Sequence, residues 1–251
     1  REKETNLPIS ISTWQSMYKL PKSFFENFNM IIGDEAHTFK AKSLTTLMTK
    51  LVNANYRIGT TGTLDGTQTN KLVLEGLFGP AYQVISTKKL MDQDYLAELE
   101  IHCIVLQYGE EERKLVSSLD YQKEIQFIVG YDKRTEFITD MASNLKGNTL
   151  ILFQLVGKHG QKLFESVKLK NPKRNIYFIH GGTPVDEREK VRELTENSDD
   201  TIIVASYGTF STGINIRKLH NIIFASPSKS RIRNLQSIGR VLRLGEDKNK
   251  A

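Results

Sequence analysis

The chain has few of the residues that form disulfides, metal clusters or membrane spans. Its 251 residues include one cysteine, Cys103. A single cysteine cannot form an intrachain disulfide, and it cannot supply the cysteine pairs of a structural zinc site. No apolar run approaches the ~20 residues of a membrane span. The charged first residues are not followed by the apolar stretch of a secretory signal. These absences predict a protein of a reducing, cytoplasmic compartment, with no membrane partner.

The charge of the chain is only mildly one-sided. Its 35 basic and 29 acidic residues give a net charge of +6. An excess of this size permits nucleic-acid binding without establishing it. Because the basic residues are spread along the chain, with no basic tail, a surface for nucleic acid must be built by folding.

Short apolar runs alternate with helical segments along the chain. Strands are predicted at residues 7–12, 30–33, 56–60, 101–107, 149–153, 175–179, 201–205 and 221–225. Helices are predicted at residues 42–52, 70–78, 110–145 with a break near Gly130, 157–168, 184–196 and 230–239. This alternation is typical of an α/β fold with largely parallel sheets. The pattern weakens between residues 83 and 100, which predicts two domains, 1–90 and 91–251.

The apolar run at residues 30–33 ends in Asp34-Glu35-Ala36-His37. Ligands of parallel sheets bind at the carboxyl ends of strands. Magnesium keeps several waters and takes one or two carboxylates, so Asp34 is predicted to hold it through water. Glu35 is then predicted to orient or deprotonate an attacking water as a general base. His37 would sense the site by hydrogen bonding. The alternative is an acidic strand end followed by a helix cap.

Two arginines near the C-terminus complete a Gln-x-x-Gly-Arg-x-x-Arg string at residues 236–243. Arg240 and Arg243 are three residues apart, which predicts that they share one helix face. Such a face suits the charge on a transferring phosphate, where an arginine finger is worth ~10³–10⁵ in rate. The alternative is surface salt bridging. With Asp34 and Glu35, the arginines predict ATP hydrolysis shared by two domains and used to move a nucleic acid.

Three further strings combine glycines with hydroxyl side chains. His180-Gly181-Gly182-Thr183 opens the predicted helix at 184–196, and a helix N-terminus attracts anions such as a nucleic-acid phosphate. The strings at 206–209 and 211–213 would let a backbone approach closely in the same way. Hydroxyls in Thr60-Thr61-Gly62-Thr63 would pass a signal from the ATP site. The alternative for each string is a plain turn.

Taken together, these strings resemble the motifs of superfamily-two helicases of the DEAH-box type, which have two RecA-like domains. Thr13-Trp14-Gln15 looks like motif Ib, 34–37 matches motif II, 61–63 motif III, 149–154 motif IV, 206–215 motif V and 236–243 motif VI. The resemblance implies ATP and Mg²⁺ as cofactors, with the first RecA-like domain incomplete. It implies nucleotide contacts by Asp34, His37, Gln236, Gly213, Asn215, Arg240 and Arg243. It implies nucleic-acid contacts by Thr13, Gln15, His180, Gly181, Ser206 and Thr209, and coupling by Thr61, Gly62 and Thr63.

Within the family, the chain resembles phage recombination helicases, which remodel branched DNA. Branched or single-stranded DNA is therefore the implied partner, with RNA in hybrids as a further one, in the host cytoplasm if this is a phage protein. A monomer is expected, with an oligomer as the alternative. The residues themselves do not choose DNA over RNA. An RNA helicase, a restriction-type translocase and a non-catalytic nucleic-acid-binding module stay open as alternatives.

The chain departs from the family pattern at three points. Gly62 stands where motif III usually has alanine, and Asn215 stands where motif V often has an aspartate. The third departure is the absence of a Walker A sequence. Gly157-Lys158 is not one, because Leu152 and His159 stand where a P-loop needs a glycine and a hydroxyl residue. We therefore expect a piece of a longer protein, and we expect residues 1–251 alone to hydrolyse ATP negligibly.

Overall fold

The computed structural model describes residues 8–64, 68–211, 216–245 and 248. The chain divides into two compact units, residues 1–84 and 85–251. Every strand pair in the sheets of the described residues is parallel, and helices separate the strands along the chain. The predicted α/β class with largely parallel sheets is therefore confirmed. Among the described residues, no helix is both long and apolar enough to span a membrane.

The first unit contains two parallel strands and a set of short helices. Its elements are α1 Trp14–Met17, α2 Lys22–Phe25, β1 Met30–Gly33, a 3-10 helix Ala36–Lys40, α3 Lys42–Lys50, β2 Tyr56–Gly59 and α4 Gln68–Phe78. Apolar side chains of the helices form its core around Phe25 and Met48. On the strands, Met30, Ile32, Tyr56 and Ile58 are exposed, while Ile31 packs on the core.

The two strands of this unit end in glycines that are in register, Gly33 and Gly59. A Cβ on Gly33 would lie 2.9 Å from the ring of Phe39, and one on Gly59 would lie 3.0 Å from the ring of Phe78. These two rings meet edge to face, with centroids 5.1 Å apart. Because the glycines have no side chains, the aromatic pair packs directly against the strand ends. This packing fixes the positions of the two residues that follow, Asp34 and Thr60.

The second unit is built on a four-stranded parallel sheet of order β4-β5-β3-β6. Its elements are α5 Thr87–Asp92, α6 Glu110–Ser117, α7 Tyr121–Gly130, α8 Asp132–Asn144, β3 Thr149–Phe153, a π-helical turn Val156–Gly160, α9 Gln161–Lys170, β4 Asn175–Ile179, α10 Val185–Glu196, β5 Thr201–Ser206, α11 Tyr207–Ser211, β6 Asn221–Phe224 and α12 Arg231–Val241.

The central strands β3 and β5 are buried along their whole length. Leu150 and Leu152 belong to one core cluster, whereas Ile151 and Phe153 belong to a second. Because successive side chains of a strand point to opposite faces, this alternation means that both faces of the sheet are covered. Double coverage explains why these strands read as continuous apolar runs in the sequence.

The side chain of Asn148, just before β3, ties together the amino-end side of this sheet. It is fully buried. Its Nδ2 donates to the carbonyls of Thr195, Ser198 and Lys218 at 2.7–3.0 Å. Its Oδ1 accepts a 2.8 Å hydrogen bond from the N–H of Thr201, the first residue of β5. One amide thus contacts four backbone groups, with its two Nδ2 hydrogens shared among three carbonyls, of which that of Thr195 also accepts a hydrogen bond from the N–H of Ser198.

Three predictions from the sequence pattern are wrong. The described residues 8–12 and 101–107 form no strand, and Ile9 and Val105 are exposed. These segments alternate in polarity but have no neighbouring strand to pair with. The predicted helix at 110–145 is three helices. It is interrupted before α7, where Asp120 accepts a 2.9 Å hydrogen bond from the N–H of Lys123, and again at Tyr131. The predicted break near Gly130 is confirmed.

Candidate functional site

Backbone pairing continues one residue past the ends of β1 and β2. The N–H of Thr60 donates to the carbonyl of Gly33 over 2.9 Å, and the N–H of Ala36 donates to the carbonyl of Thr60 over 2.8 Å. This places Asp34 and Thr60 at the same edge of the sheet, on the carboxyl ends of neighbouring parallel strands. Ligands of α/β sheets bind at this edge, as the sequence predicted for Asp34.

The Asp34 carboxylate is held through one of its two oxygens. Its Oδ1 accepts hydrogen bonds from the N–H of Glu35 at 2.9 Å and from Oγ1 of Thr60 at 3.1 Å. Both bonds end on Oδ1, so neither of them uses Oδ2. Among the described residues there is no cluster of three or more His, Cys, Asp or Glu side chains that would hold a metal ion. Asp34 therefore fits magnesium, provided that water and phosphate oxygens complete the shell.

The backbone of Glu35 is left-handed, with φ 49° and ψ 48°. This conformation is uncommon for a residue other than glycine, and such strain concentrates at functional sites. The Glu35 carbonyl accepts hydrogen bonds from the N–H and from Oγ1 of Thr38, both at 2.9 Å. These bonds hold the tight turn. The Glu35 carboxylate is half-exposed, so water can reach it.

His37 joins the acidic string to the hydroxyl string. Its Nδ1 lies 2.9 Å from Oγ1 of Thr61 and 3.2 Å from Oε2 of Glu35. The Thr61 hydroxyl donates to the carbonyl of Thr63 at 3.0 Å and accepts from the N–H of Thr63 at 3.3 Å, so its second lone pair can accept a hydrogen bond from His37 Nδ1–H. The structure thus brings the predicted coupling residues 61–63 together with 34–37. Their role in coupling remains a prediction.

The two arginines do not share one helix, so that prediction is wrong. Arg240 lies in the last turn of α12, which ends at Val241. Arg243 lies beyond the helix and pairs with Leu96 in an antiparallel bridge. The N–H of Ala97 donates to the carbonyl of Leu242 over 2.8 Å. This strand-like pairing with a distant segment competes with helical hydrogen bonding and ends the helix. Gln236 lies on α12 and is half-buried.

The turn after β4 is closed by its own hydrogen bonds. The N–H of His180 donates to Oγ1 of Thr183, and the N–H of Gly182 donates to Nδ1 of His180, both at 3.0 Å. Because the His180 ring accepts the N–H of Gly182, this N–H is not available to an anion. Gly181 is exposed, and Arg188 donates to its carbonyl at 3.1 Å. A nucleic-acid role for His180 and Gly181 stays a prediction.

The other predicted nucleic-acid residues are spread over both units. Ser206 and Thr209 are buried, and their hydroxyls lie 2.8 Å apart, so these side chains brace the turn after β5 instead of facing solvent. Gly208 between them is exposed. Thr13 and Gln15 are exposed at the N-terminus of α1. The predicted nucleotide residues Gly213 and Asn215 lie outside the described residues.

Sequence reasoning missed a buried polar group at the carboxyl end of the second sheet. His159 in the π-helical turn is fully buried, and its Nδ1 lies 3.0 Å from Oγ of Ser226. The Ser226 carbonyl accepts a 2.8 Å bond from the hydroxyl of Tyr207, and Arg233 of α12 lies 5.7 Å from the Tyr207 ring centroid. Burial lowers the pKa of His159 to about 4 and raises the pKa of Tyr207 to about 12. Both are therefore neutral at pH 7.

This buried group links the turn after β3, the end of β6, the start of α11 and the helix α12. A lone histidine in the sequence carries no spacing signal that would have revealed it. The N–H of Gln154, in the segment that resembles motif IV, donates to Oγ of Ser226 at 3.0 Å. The segment that resembles motif IV is therefore joined through Ser226 to the start of α11.

Comparisons with known proteins give the same picture over nearly the whole chain. The helicase conserved C-terminal domain matches residues 133–245, and the type III restriction enzyme res subunit family matches residues 1–66. The ATP-dependent DNA helicase uvsW of Enterobacteria phage T4 is 35% identical over 243 residues, which cover 96% of this chain and 48% of that protein.

Solved structures agree with this match. The crystal structure of T4 UvsW has 33% sequence identity and a TM-score of 0.51, over 91% of this chain and 44% of that one. A fragment described as an HsdR subunit of a type I restriction enzyme from Vibrio vulnificus YJ016 shares the fold, with a TM-score of 0.72 at 20% identity, over 94% of this chain and 45% of that one. The predicted RecA-like architecture is confirmed. The chain spans about half the length of the relatives it matches.

Proposed function

Since the chain belongs to the superfamily-two helicases, we propose that it carries the catalytic carboxylates and arginines of an ATP-driven DNA motor. The proposed task is to unwind or branch-migrate branched DNA in recombination, repair and the restart of stalled replication forks. The observation that carries the proposal is the hydrogen-bonded group formed by Asp34, Glu35 and His37 with Thr60 and Thr61 at two strand ends.

Each member of this group has a distinct chemical role. Asp34 would hold magnesium through a bound water, and Thr60 donates to Oδ1 of the same carboxylate. Glu35 accepts the proton of the attacking water as a general base, which its exposure allows. Nδ1 of His37 lies within reach of both the Glu35 carboxylate and the Thr61 hydroxyl, so a change in the protonation of Glu35 alters the hydrogen bond to Thr61. When bound, magnesium neutralises the charge that develops on the transferred phosphate.

We assign Arg240 and Arg243 the stabilisation of negative charge on the γ-phosphate. Both side chains are half-buried, so the solvent around them is reduced and their fields are stronger than at an open surface. A guanidinium is planar and always charged, and it can bind two phosphate oxygens at once. Loss of either arginine is expected to lower the turnover number more than the affinity for ATP.

The cradle for the β- and γ-phosphates is not among these residues. No Walker A sequence occurs in residues 1–251. The described turns after β1 and β2 carry carboxylate and hydroxyl groups, which do not form a phosphate cradle. We therefore propose that the cradle lies elsewhere in the full-length gene product, since the chain spans about half the length of its relatives. Residues 1–251 alone are expected to bind ATP poorly and to hydrolyse it negligibly.

The proposed substrate is DNA, and this choice rests on the similarity to uvsW, whose name describes a DNA helicase. The exposed backbone at Gly181 and Gly208 supports contacts to phosphates instead of base edges. Binding is then expected to be salt-sensitive and nearly independent of sequence. The mildly basic charge of the chain is compatible with such contacts.

The decisive experiment is ATP hydrolysis by the full-length gene product, with and without forked DNA. A Glu35→Gln variant is compared with a Glu26→Gln variant, whose side chain is exposed and which caps the end of α2, before β1 begins. We expect fork-stimulated hydrolysis that is lost in Glu35→Gln and kept in Glu26→Gln, while both variants still bind DNA.

Other outcomes would redirect the assignment. Stimulation by RNA and not by DNA would make the protein an RNA helicase. Equal stimulation by unbranched duplex DNA would favour a restriction-type translocase. Hydrolysis that survives in Glu35→Gln would refute the role of Glu35, and no hydrolysis in the unaltered protein would leave a nucleic-acid-binding module.

A further inference from the structure

Arg243 needs support that α12 does not provide. The helix ends at Val241, and its C-cap Leu242 makes the last helical bond, from its N–H to the carbonyl of Ile238. Arg243 lies two residues past that end, so helical hydrogen bonds do not fix its φ and ψ angles. An arginine that must be placed accurately against a phosphate requires contacts other than helical hydrogen bonds to fix its backbone.

Lys248 supplies contacts at this position. Its side chain is 1% exposed. Its Nζ donates to the carbonyl of Arg243 at 3.1 Å and to the carbonyl of Val241. Its own N–H donates to the carbonyl of Gly245 at 3.2 Å, closing a small antiparallel bridge. One ammonium thus spans the last residue of the helix and the arginine beyond it.

This arrangement is costly by itself. Burial lowers the pKa of Lys248 to about 8, and the charge of Glu196 opposes that shift only in part. The Glu196 carboxylate already accepts bonds from the N–H groups of Arg217 and Lys218. The compensating interactions of Lys248 are bonds to carbonyls at a helix C-terminus, where the helix dipole favours a cation.

We propose that Lys248 is a positioning residue that fixes the backbone of Arg243 through its carbonyl. The bridge to Leu96 and the Ala97–Leu242 hydrogen bond hold the same segment from its other edge. Together these contacts replace the helix that ends too early to reach Arg243. The proposal rests on the assignment of Arg243 to the γ-phosphate.

The test compares Lys248→Met, which keeps length and apolar volume but has no donors, with Lys248→Arg, which keeps donors. Lys173→Met is the matched control, because Lys173 is exposed and lies at the amino end of β4. The variants are made in the full-length gene product. The turnover number and KM for ATP are measured with saturating DNA, together with unfolding in urea.

We expect Lys248→Met to lower the turnover number roughly 10- to 100-fold, with KM for ATP changed less than about twofold. Its unfolding midpoint should stay close to that of the unaltered protein, because removing the buried charge offsets the lost hydrogen bonds. Lys248→Arg should recover most of the activity, and Lys173→Met should behave as the unaltered protein. An unchanged turnover number, or a fall in turnover that follows a matching loss of stability, would overturn the proposal.

A second readout separates this proposal from the proposed function. Amide hydrogen exchange at Ala97 reports on its bond to the Leu242 carbonyl and needs no ATPase activity. In Lys248→Met we expect exchange at Ala97 to rise at least tenfold, and unchanged exchange would show that Lys248 does not hold the segment. If the unaltered protein lacks ATPase activity, the proposed function fails, and the exchange at Ala97 still decides whether Lys248 fixes this backbone.

Discussion

The hydroxyl of Thr60 donates a 3.1 Å hydrogen bond to Oδ1 of Asp34, across the ends of two neighbouring strands. Each residue follows a glycine, and the two glycines are in register. The bond is therefore set by the pairing of β1 with β2 and by the aromatic packing beneath them. The bond holds Oδ1 of the Asp34 carboxylate and does not involve Oδ2.

Replacing Thr60 with valine is expected to lower ATP hydrolysis by the full-length gene product. A hydrogen bond to a charged group at an exposed position is worth ~1 kcal/mol, so turnover should fall roughly three- to tenfold and the half-saturating concentration of Mg²⁺ should rise. Thr60→Ser keeps the hydroxyl and should stay near the unaltered rate. The measurement is a magnesium titration of hydrolysis, and a valine variant with an unchanged curve would contradict the role of this bond.

Gly62→Ala should be tolerated, although Gly62 departs from the family pattern. A Cβ at Gly62 would have no heavy atom within 4 Å, so the free energy of unfolding should stay equal or rise by ~0.4–1 kcal/mol. Gly59→Ala is the matched contrast, because its Cβ would lie 3.0 Å from Ala36 and from the Phe78 ring. Crowding there should lower the free energy of unfolding by ~1–3 kcal/mol. Urea unfolding of both variants checks the pair, and equal stabilities would refute the packing argument.

Asn148→Ala should be among the most destabilising single changes in the second unit. It removes hydrogen bonds to three carbonyls and one N–H in a fully buried position. The expected loss in the free energy of unfolding is ~2–4 kcal/mol, because buried backbone groups lose hydrogen bonds, although the Thr195 carbonyl keeps its bond from the N–H of Ser198. Asn175→Ala, at an exposed position in β4, serves as the control. A loss under ~1 kcal/mol would mean that water replaces the amide.

The second unit should lose stability in mild acid through His159. The pKa of His159 is about 4 in the folded chain, below its ordinary value of 6.5, because burial disfavours the charged ring. Between these values the unfolded chain binds more protons, so protonation favours unfolding. The contribution is complete above about pH 6.5 and is lost as the pH falls towards 4. Its full size is ~3 kcal/mol, of which roughly 2 kcal/mol is lost by about pH 5.

The check is unfolding in urea at about pH 7.5 and about pH 5. His159→Asn keeps a polar atom near Ser226 but does not titrate, so its stability should depend less on pH than that of the unaltered chain. His102→Asn, at an exposed position, should keep the original dependence. Parallel pH dependence in all three proteins would show that His159 does not carry the effect.

The parts of the fold that the sequence predicted are the strands that are buried on both faces of the sheet. The strands β3 and β5 are covered on both faces, so their apolar runs are continuous and their positions follow from the sequence. The carboxylate edge followed from a different signal, because Asp34 comes directly after the short apolar run of β1, although Met30 and Ile32 of that strand are exposed. The strand predicted at residues 101–107 was wrong, because alternating polarity does not show whether a partner strand exists.

The remaining errors concern contacts between distant segments. The end of α12 depends on Ala97 and Leu96, which no local pattern near Arg243 reveals. The buried position of His159 depends on Ser226 and Tyr207, which come from other strand ends. In contrast, the break before α7 had a local signal, since Asp120 is a typical helix cap. A helix cap can be recognised from the local sequence, whereas contacts between distant segments cannot.

The bridge that holds Arg243 also decides where this half of the protein can be cut. The family match ends at residue 245 and begins at residue 133, so a polypeptide trimmed to it would contain the whole sheet and both arginines. It would lack Leu96 and Ala97 on one side and Lys248 on the other. A piece trimmed to the family match is therefore expected to lose the contacts that hold the backbone of Arg243, whereas a piece that includes both Leu96 and Lys248 is expected to keep them.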